Sequence, residues 1–158
     1  MILGNITKED VSKFNLLVLS PGISVNAPIA QMFRDQEKPV WSEIELAYQA
    51  SKGRIAAITG TNGKTTTTAL TGEIMKGYYE SSFVVGNIGI PYTSVALDTK
   101  EDSVTTAEIS SFQLETIVDF KPDVCAVLNI TPDHLDRHGT VEVYAQTKAV
   151  SYTHLRAH

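Results

Sequence analysis

Residues 54–68, RIAAITGTNGKTTTT, constrain this chain more than any other stretch. An apolar, β-branched run from Arg54 to Thr59 stops at Gly60 to Gly63, and the pattern predicts a buried strand, a turn and a helix that begins at about Lys64. Such a turn can cradle phosphate. Glycines without side chains let backbone N–H groups converge on an anion, and the first N–H groups and dipole of the helix add to the attraction. Lys64 is then placed to reach terminal phosphates, with the Thr65 hydroxyl as a magnesium ligand. The strict form of this motif wants a glycine where Ile58 stands, so the match is to a shorter GTNGKT form. The competing reading is a glycine-rich strand-to-helix turn with a solvated lysine. The four threonines from Thr65 to Thr68 weigh against it, because β-branched residues are poor helix formers and hydroxyls at a helix start suit ligand contacts or capping.

The chain has 158 residues, enough for one good core or for parts of two domains. Its net charge of −5 and lack of a basic stripe argue against a nucleic-acid partner. An acidic chain with one strongly placed lysine suits a magnesium nucleotide better. The apolar runs are strand-length, which predicts no membrane span, and the N-terminus lacks the regions of a signal peptide, so a cytoplasmic protein is expected. Cys125, the single cysteine, lies in the apolar run VCAVLNI and reads as a core residue.

Strands and helices alternate along the chain. Strands are expected at Asn15 to Ser20 and Pro39 to Trp41, with a short helix at Pro28 to Arg34 between them. Ser42 and Glu45 form a candidate capping box for a helix whose apolar face holds Ile44, Leu46, Ala47 and Ala50. After the central turn, strands are expected at Phe83 to Val85, Val104 to Ile109 and Val124 to Ile130. Helical segments are expected at 64–76, 93–97, 113–118 and 141–148, and Thr131 to Gly139 reads as a polar loop. The alternation predicts an α/β fold, a parallel sheet with helices on both faces. The boundary between two α/β units falls near Lys52 and Gly53. A first strand at residue 15 with no earlier partner suggests that the opening unit begins upstream.

In an open parallel sheet, ligands sit beyond the carboxyl ends of the strands. Polar residues found there carry weight: the phosphate turn after Ile58, Asn87 after Val85, Glu108 beside Ala107, and Asp133 and His134 after Ile130. Glu108 suits a magnesium ligand or base, against the plainer role of capping the next helix. His134 suits a metal or phosphate role, with Asp133 and Asp136 either orienting it or solvated, and His138 reads as a surface residue. Zinc is not expected, since the chain lacks a cysteine cluster and a HExxH pattern. Read locally, Lys148 is a solvated lysine.

GTNGKTTTT, GNIG at 86–89, EISSFQLE at 108–115 and NITPDHLDRHG at 129–139, in that order, resemble the Mur ligase family, and SSFQLE resembles its D-glutamate-adding branch. SPGI at 20–23 and EIELAY at 43–48 fit the end of that family's first domain, and the resemblance spans about residues 1–149. It implies a P-loop-type ATPase domain over residues 53–149, preceded at 1–52 by the C-terminal part of a Rossmann-like domain that binds the UDP substrate. It further implies that Gly60, Thr61, Asn62, Gly63, Lys64, Thr65 and Thr66 hold ATP, with Asn87 facing it. Thr65 and Glu108 would hold one magnesium ion. His134 and Lys148 would serve a second, Lys148 after carbamylation, which turns a cation into a carboxylate-like ligand. Ser20, Pro21 and Gly22, running on to Ile23, would lie near the uridine diphosphate of the substrate, and Ser110, Ser111 and Gln113 beside its muramoyl part.

The implied reaction joins UDP-N-acetylmuramoyl-L-alanine to D-glutamate in peptidoglycan precursor synthesis. The L-alanyl carboxylate attacks the γ-phosphate of ATP, and the D-glutamate amine then attacks the acyl phosphate. A monomer is expected. The family is several times longer than this chain, so the segment alone is expected to be inactive. Residues 150–158 read as a non-native tail, which predicts that the helix bearing Lys148 frays. A sibling Mur ligase, a folylpolyglutamate synthase or a nucleotide-binding module without ligase chemistry are the alternatives.

Overall fold

A computed structural model describes residues 6–87 and 89–153. The chain opens with helix α1 (Lys8–Ser12), strand β1 (Leu17–Leu19), helix α2 (Pro28–Arg34), strand β2 (Val40–Ser42) and helix α3 (Glu43–Ala50). β1 and β2 form a two-stranded parallel sheet, Leu17 opposite Val40 and Leu19 opposite Ser42. The second part holds β3 (Arg54–Thr59), α4 (Lys64–Lys76), β4 (Ser82–Gly86), two 3-10 turns, β5 (Val104–Glu108), α5 (Ser111–Leu114), β6 (Val124–Val127), α6 (Leu135–His138) and α7 (Val141–Thr153). Its four strands are all parallel, in the order β4-β5-β3-β6. The expected α/β architecture, parallel sheets with helices on both faces, is what the chain adopts.

Strand pleat assigns the two faces. Ile55 and Ala57 of β3, Val85 of β4 and Ala107 of β5 pack with Ile44 and Ala47 of α3 and with Tyr92, Leu114 and Phe120, so α3 covers one face. On the other face a side chain on Gly72 of α4 would come within 2.2 Å of Val84 Cγ2, so α4 lies over β4. Val84 is in register with Thr106 of β5. Glu108, two residues on, therefore projects from the α4 face.

After β3 the chain passes to β4 and β5 on one side, then returns to β6 on the other. The carboxyl end of β3 is the place where strand order reverses, the crevice in which such sheets hold ligands. The GTNGKT turn stands there.

Several local expectations need correction. Ser42 caps α3 by accepting from the Glu45 N–H at 3.4 Å, but the reciprocal half of the capping box is not made. The Glu45 carboxylate is fully buried and accepts instead from the N–H groups of Val118, Asp119 and Phe120, at 2.7, 3.1 and 3.0 Å, and from the Gln49 amide. A complete box forms at Ser110 and Gln113, so the helix expected at 113–118 starts earlier and runs Ser111–Leu114. Within the expected polar loop 131–139, residues 135–138 close a helical turn, and the strand expected to reach Ile130 ends at Val127. The helix bearing Lys148 does not fray: α7 continues through Thr153, and Ser151 is fully buried, its hydroxyl donating to the Lys148 carbonyl at 2.7 Å. Residues 154–158 of the expected tail lie outside the described residues. Cys125 is half-buried against the core.

Glu45 yields a testable expectation. Glu45→Ala leaves three inward-facing N–H groups without their acceptor, so unfolding free energy is expected to fall by about 3 kcal/mol in urea titration, whereas Glu45→Gln loses less. Equal losses for the two variants would contradict this account.

Candidate functional site

The GTNGKT turn takes the shape its glycines allow. Gly63 caps α4 at φ 83°, a left-handed conformation that L side chains rarely adopt. Its position presents the start of a 13-residue helix, whose first N–H groups have no partner within the helix. The turn is braced from the β6 side. Asn129 accepts from the Thr61 N–H through its carbonyl at 3.0 Å and from the Asn62 N–H through its side chain at 2.9 Å, and its amide donates back to the Asn62 carbonyl. Lys64 Nζ donates to the Thr61 carbonyl at 2.9 Å, across its own loop. Thr65 and Thr66 are exposed on the first turn of α4.

Beside this turn lies a cavity of about 240 Å³, lined by Lys64, Asn87, Ser110, Ser111, Phe112, Asp133, His134, Tyr144 and Lys148. Of the residues singled out from sequence, it gathers Lys64, Asn87, Ser110, Ser111, Asp133, His134 and Lys148. Glu108 stands directly behind it, buried, with its Oε1 accepting from the Asn87 amide at 3.4 Å. Gln113 is turned away: its Oε1 accepts from the Ser110 N–H and hydroxyl, and its amide donates to Glu43. Ser20, Pro21 and Gly22 lie on the loop after β1, outside the cavity. Two larger cavities, of about 300 and 490 Å³, open around Arg54 and Tyr79 where the strands begin, the edge of a parallel sheet that does not ordinarily take ligands.

His134 occupies a left-handed backbone conformation, φ 51°, uncommon for a residue with a side chain. The Asp133 carboxylate accepts its N–H at 2.9 Å and lies 3.6 Å from Nε2, so of the two neighbouring aspartates Asp133 orients the imidazole, while Asp136 is exposed. The ring leans on Phe112, centroids 4.8 Å apart.

Lys148 is only 2% exposed, against its reading as a solvated residue. Its Nζ donates to Thr59 Oγ1 at 3.4 Å and lies 4.7 Å from the centre of the Tyr144 ring. Burial, helped by the charge on Lys64 and opposed by Asp133, brings its pKa down from 10.5 to about 8. Two lysines thus face one small cavity, an arrangement that attracts anions.

His138, expected at the surface, is buried. Its Nε2 bonds Ser111 Oγ at 3.0 Å and its Nδ1 lies 3.7 Å from Glu115. Burial holds its pKa below the usual imidazole range, against the pull of Glu115. Tyr144, Phe112, Arg137 and Glu115 also belong to this surround, and sequence reading assigned none of them a role. Their signal was available only in part, because FQLE and LDRHG sit inside motifs read for other residues.

The hard oxygen donors Thr65 and Glu108 fit magnesium better than a softer metal. Among the described residues no three His, Cys, Asp or Glu side chains stand together as a complete metal site. A magnesium ion held there would take phosphate oxygens and water as its remaining ligands.

A parallel α/β sheet with a glycine-bounded turn, a buried carboxylate and two lysines gathered at its carboxyl edge defines a class of ligand-binding α/β proteins. Residues 58–157 match the family described as Mur ligase middle domain, and the chain belongs to the Mur ligase family. Within the family it is 60% identical over 148 residues to the UDP-N-acetylmuramoylalanine–D-glutamate ligase of Lachnospira eligens, and 58% identical over 148 residues to that of Lachnoclostridium phytofermentans. In both cases the match covers 94% of this chain and 33% of the relative. The chain thus spans about a third of the length of these curated relatives. Among solved structures it is similar to MurF from Acinetobacter baumannii, with TM-score 0.50 and 21% identity over 70% of this chain and 26% of that one, a likeness of fold. The family in general uses ATP and magnesium. No helix among the described residues is long and apolar enough to cross a membrane.

Proposed function

We propose that this chain supplies the ATP site, and part of the UDP-substrate site, of a ligase that adds D-glutamate to UDP-N-acetylmuramoyl-L-alanine. The reading is of a cytoplasmic monomer that makes peptidoglycan precursor. The observation that carries it is the meeting of Lys64, Asn87, His134 and Lys148, from two strand ends, the phosphate turn and α7, around one cavity at the carboxyl edge of the sheet. The identity to D-glutamate ligases supports the choice of amino acid.

On this reading residues 53–149 belong to the ATPase domain and 1–52 to the UDP-substrate domain, with α3 bridging them. Gly60 to Thr66 enclose the triphosphate, with the N–H groups that open α4 turned to it while Asn129 holds those of Thr61 and Asn62, and Lys64 neutralises its terminal groups. When bound, magnesium supplies charge that offsets the repulsion between a substrate carboxylate and a phosphate, held by Thr65 and Glu108 at one position and by His134 and carbamylated Lys148 at the other. Asn87 positions the Glu108 carboxylate, and Phe112 and Asp133 hold His134. The low pKa of Lys148 provides the neutral amine that carbon dioxide needs for carbamate formation, with one proton released. The muramoyl part lies beside Ser110 and Ser111, whose hydroxyls are held by Gln113 and His138, and the loop at Ser20 to Gly22 approaches the diphosphate.

The test is release of ADP by the full-length protein in the presence of UDP-N-acetylmuramoyl-L-alanine. Release that requires D-glutamate, and not L-lysine or L-glutamate, is expected. Dependence on another amino acid would reassign the chain to a sibling ligase, and ATP binding without amino-acid-dependent release would reduce it to a nucleotide-binding module.

A further inference from the structure

Arg137 is used in a way that the roles above do not explain. Its guanidinium forks onto the Glu115 carboxylate, with Nη2 2.6 Å from Oε2 and Nε 3.2 Å from each oxygen. The remaining donors cross to the first part of the chain: Nη1 to the Pro21 carbonyl at 2.9 Å and Nη2 to the Ile23 carbonyl at 3.1 Å. Its Cζ lies 4.2 Å from the centre of the Phe112 ring, the ring on which His134 leans. The side chain is 17% exposed and Glu115 12%, so the pair is well shielded.

This geometry needs a planar group with several fixed donors. The carboxylate orients the guanidinium, and the oriented guanidinium holds two carbonyls of a turn that is itself largely exposed, Gly22 having nothing within 4 Å of where a side chain would start. A lysine could satisfy one of these partners at a time but not the fork and both carbonyls. The ring contact links the same side chain to the cavity.

We infer that Arg137 is a positioning residue that sets the spacing between the Pro21–Ile23 turn and the nucleotide cavity, and so governs affinity for a substrate that spans both. The inference rests on the ligase reading, in which the diphosphate end of that substrate meets the turn and its reacting end meets the cavity. ATP touches only one side of the joint. Loss of Arg137 should therefore weaken the long substrate and spare ATP.

The test compares Arg137→Lys with the parent in the full-length protein, measuring KM for UDP-N-acetylmuramoyl-L-alanine and for ATP separately. About a tenfold rise in the first, with the second within about twofold, is expected. Glu115→Gln, which keeps the shape but loosens the fork, is expected to show the same split more weakly, and it serves as the variant if Arg137→Lys does not fold. Unchanged KM for both substrates, or equal rises in both that track a lower melting midpoint, would overturn the inference. A parent protein without D-glutamate-dependent turnover would instead overturn the ligase reading, a separate outcome.

Discussion

Lys148→Met is expected to make the fold more stable at pH 7 while abolishing turnover. The side chain is 2% exposed, and burial, with Lys64 nearby, holds its pKa at about 8 in place of 10.5. Below pH 8 the amine is protonated in both folded and unfolded chains, and the folded state bears the full cost of enclosing a cation. Between pH 8 and 10.5 the folded chain releases the proton first, so the unfolded chain binds more protons and stability rises with pH. At about 1.4 kcal/mol per pKa unit the cost is on the order of 3 kcal/mol. Part of it is offset by the hydrogen bond to Thr59 and the contact with the Tyr144 ring. Methionine fills similar volume without the charge. A net gain of about 1 kcal/mol, roughly 2–4 °C in melting midpoint, is expected at pH 7 in bicarbonate-free buffer, reversing to a loss of about 1 kcal/mol by pH 9.5 as the parent sheds the buried charge. Turnover of the full-length protein should fall by at least about 10³-fold, because a metal-holding group in the proposed site is lost. A variant less stable than its parent at pH 7, or equally favoured at both pH values, would refute the assignment of a buried cation.

Gly86→Ala carries the largest expected loss of stability. Gly86 ends β4 at φ 133°, and a methyl group there would stand 2.0 Å from the Glu108 carbonyl oxygen and 2.7 Å from the Glu108 nitrogen. Both are backbone atoms of a central strand, so neither can swing aside as a side-chain tip would. Either the β4–β5 pairing opens or the new residue leaves its glycine conformation, and each route moves Asn87, whose N–H donates to that same carbonyl at 2.9 Å. A loss above about 4 kcal/mol in urea unfolding is expected. Gly89→Ala is the control. Gly89 also has a positive φ, 88°, but nothing lies within 4 Å of the added methyl, so only backbone strain of about 1 kcal/mol applies. Comparable losses at the two glycines would show that crowding against Glu108 is not the cause.

The reasons why some features were readable in advance are local. The strand Arg54–Thr59, the glycine turn and the helix from Lys64 to Lys76 follow from residue order and periodicity, and they occur with those bounds. Asn87, Glu108 and His134 were legible because each follows or ends an apolar strand, and parallel strands bring their carboxyl ends to one edge. Lys148 and His138 were not. Both lie on helices where nothing in the flanking residues signals burial, and what surrounds them, Thr59 and Tyr144 in one case and Ser111, Phe112 and Glu115 in the other, comes partly from distant stretches of chain. Glu45 misled for a related reason. The Ser-x-x-Glu spacing is a capping signal, but three N–H groups more than seventy residues away compete for the carboxylate and win.

By itself, then, the sequence determined the parallel α/β plan, the glycine turn between β3 and α4 and the family, since these depend on short-range pattern and on motifs whose order is unchanged by folding. The tertiary structure alone decided which ionisable groups are enclosed, which way Glu45 and Gln113 turn, and that Arg137 ties the first sheet's loop to the second sheet's site. Those outcomes depend on desolvation and on partners brought together only by long-range packing, and neither quantity is written in any local stretch of residues.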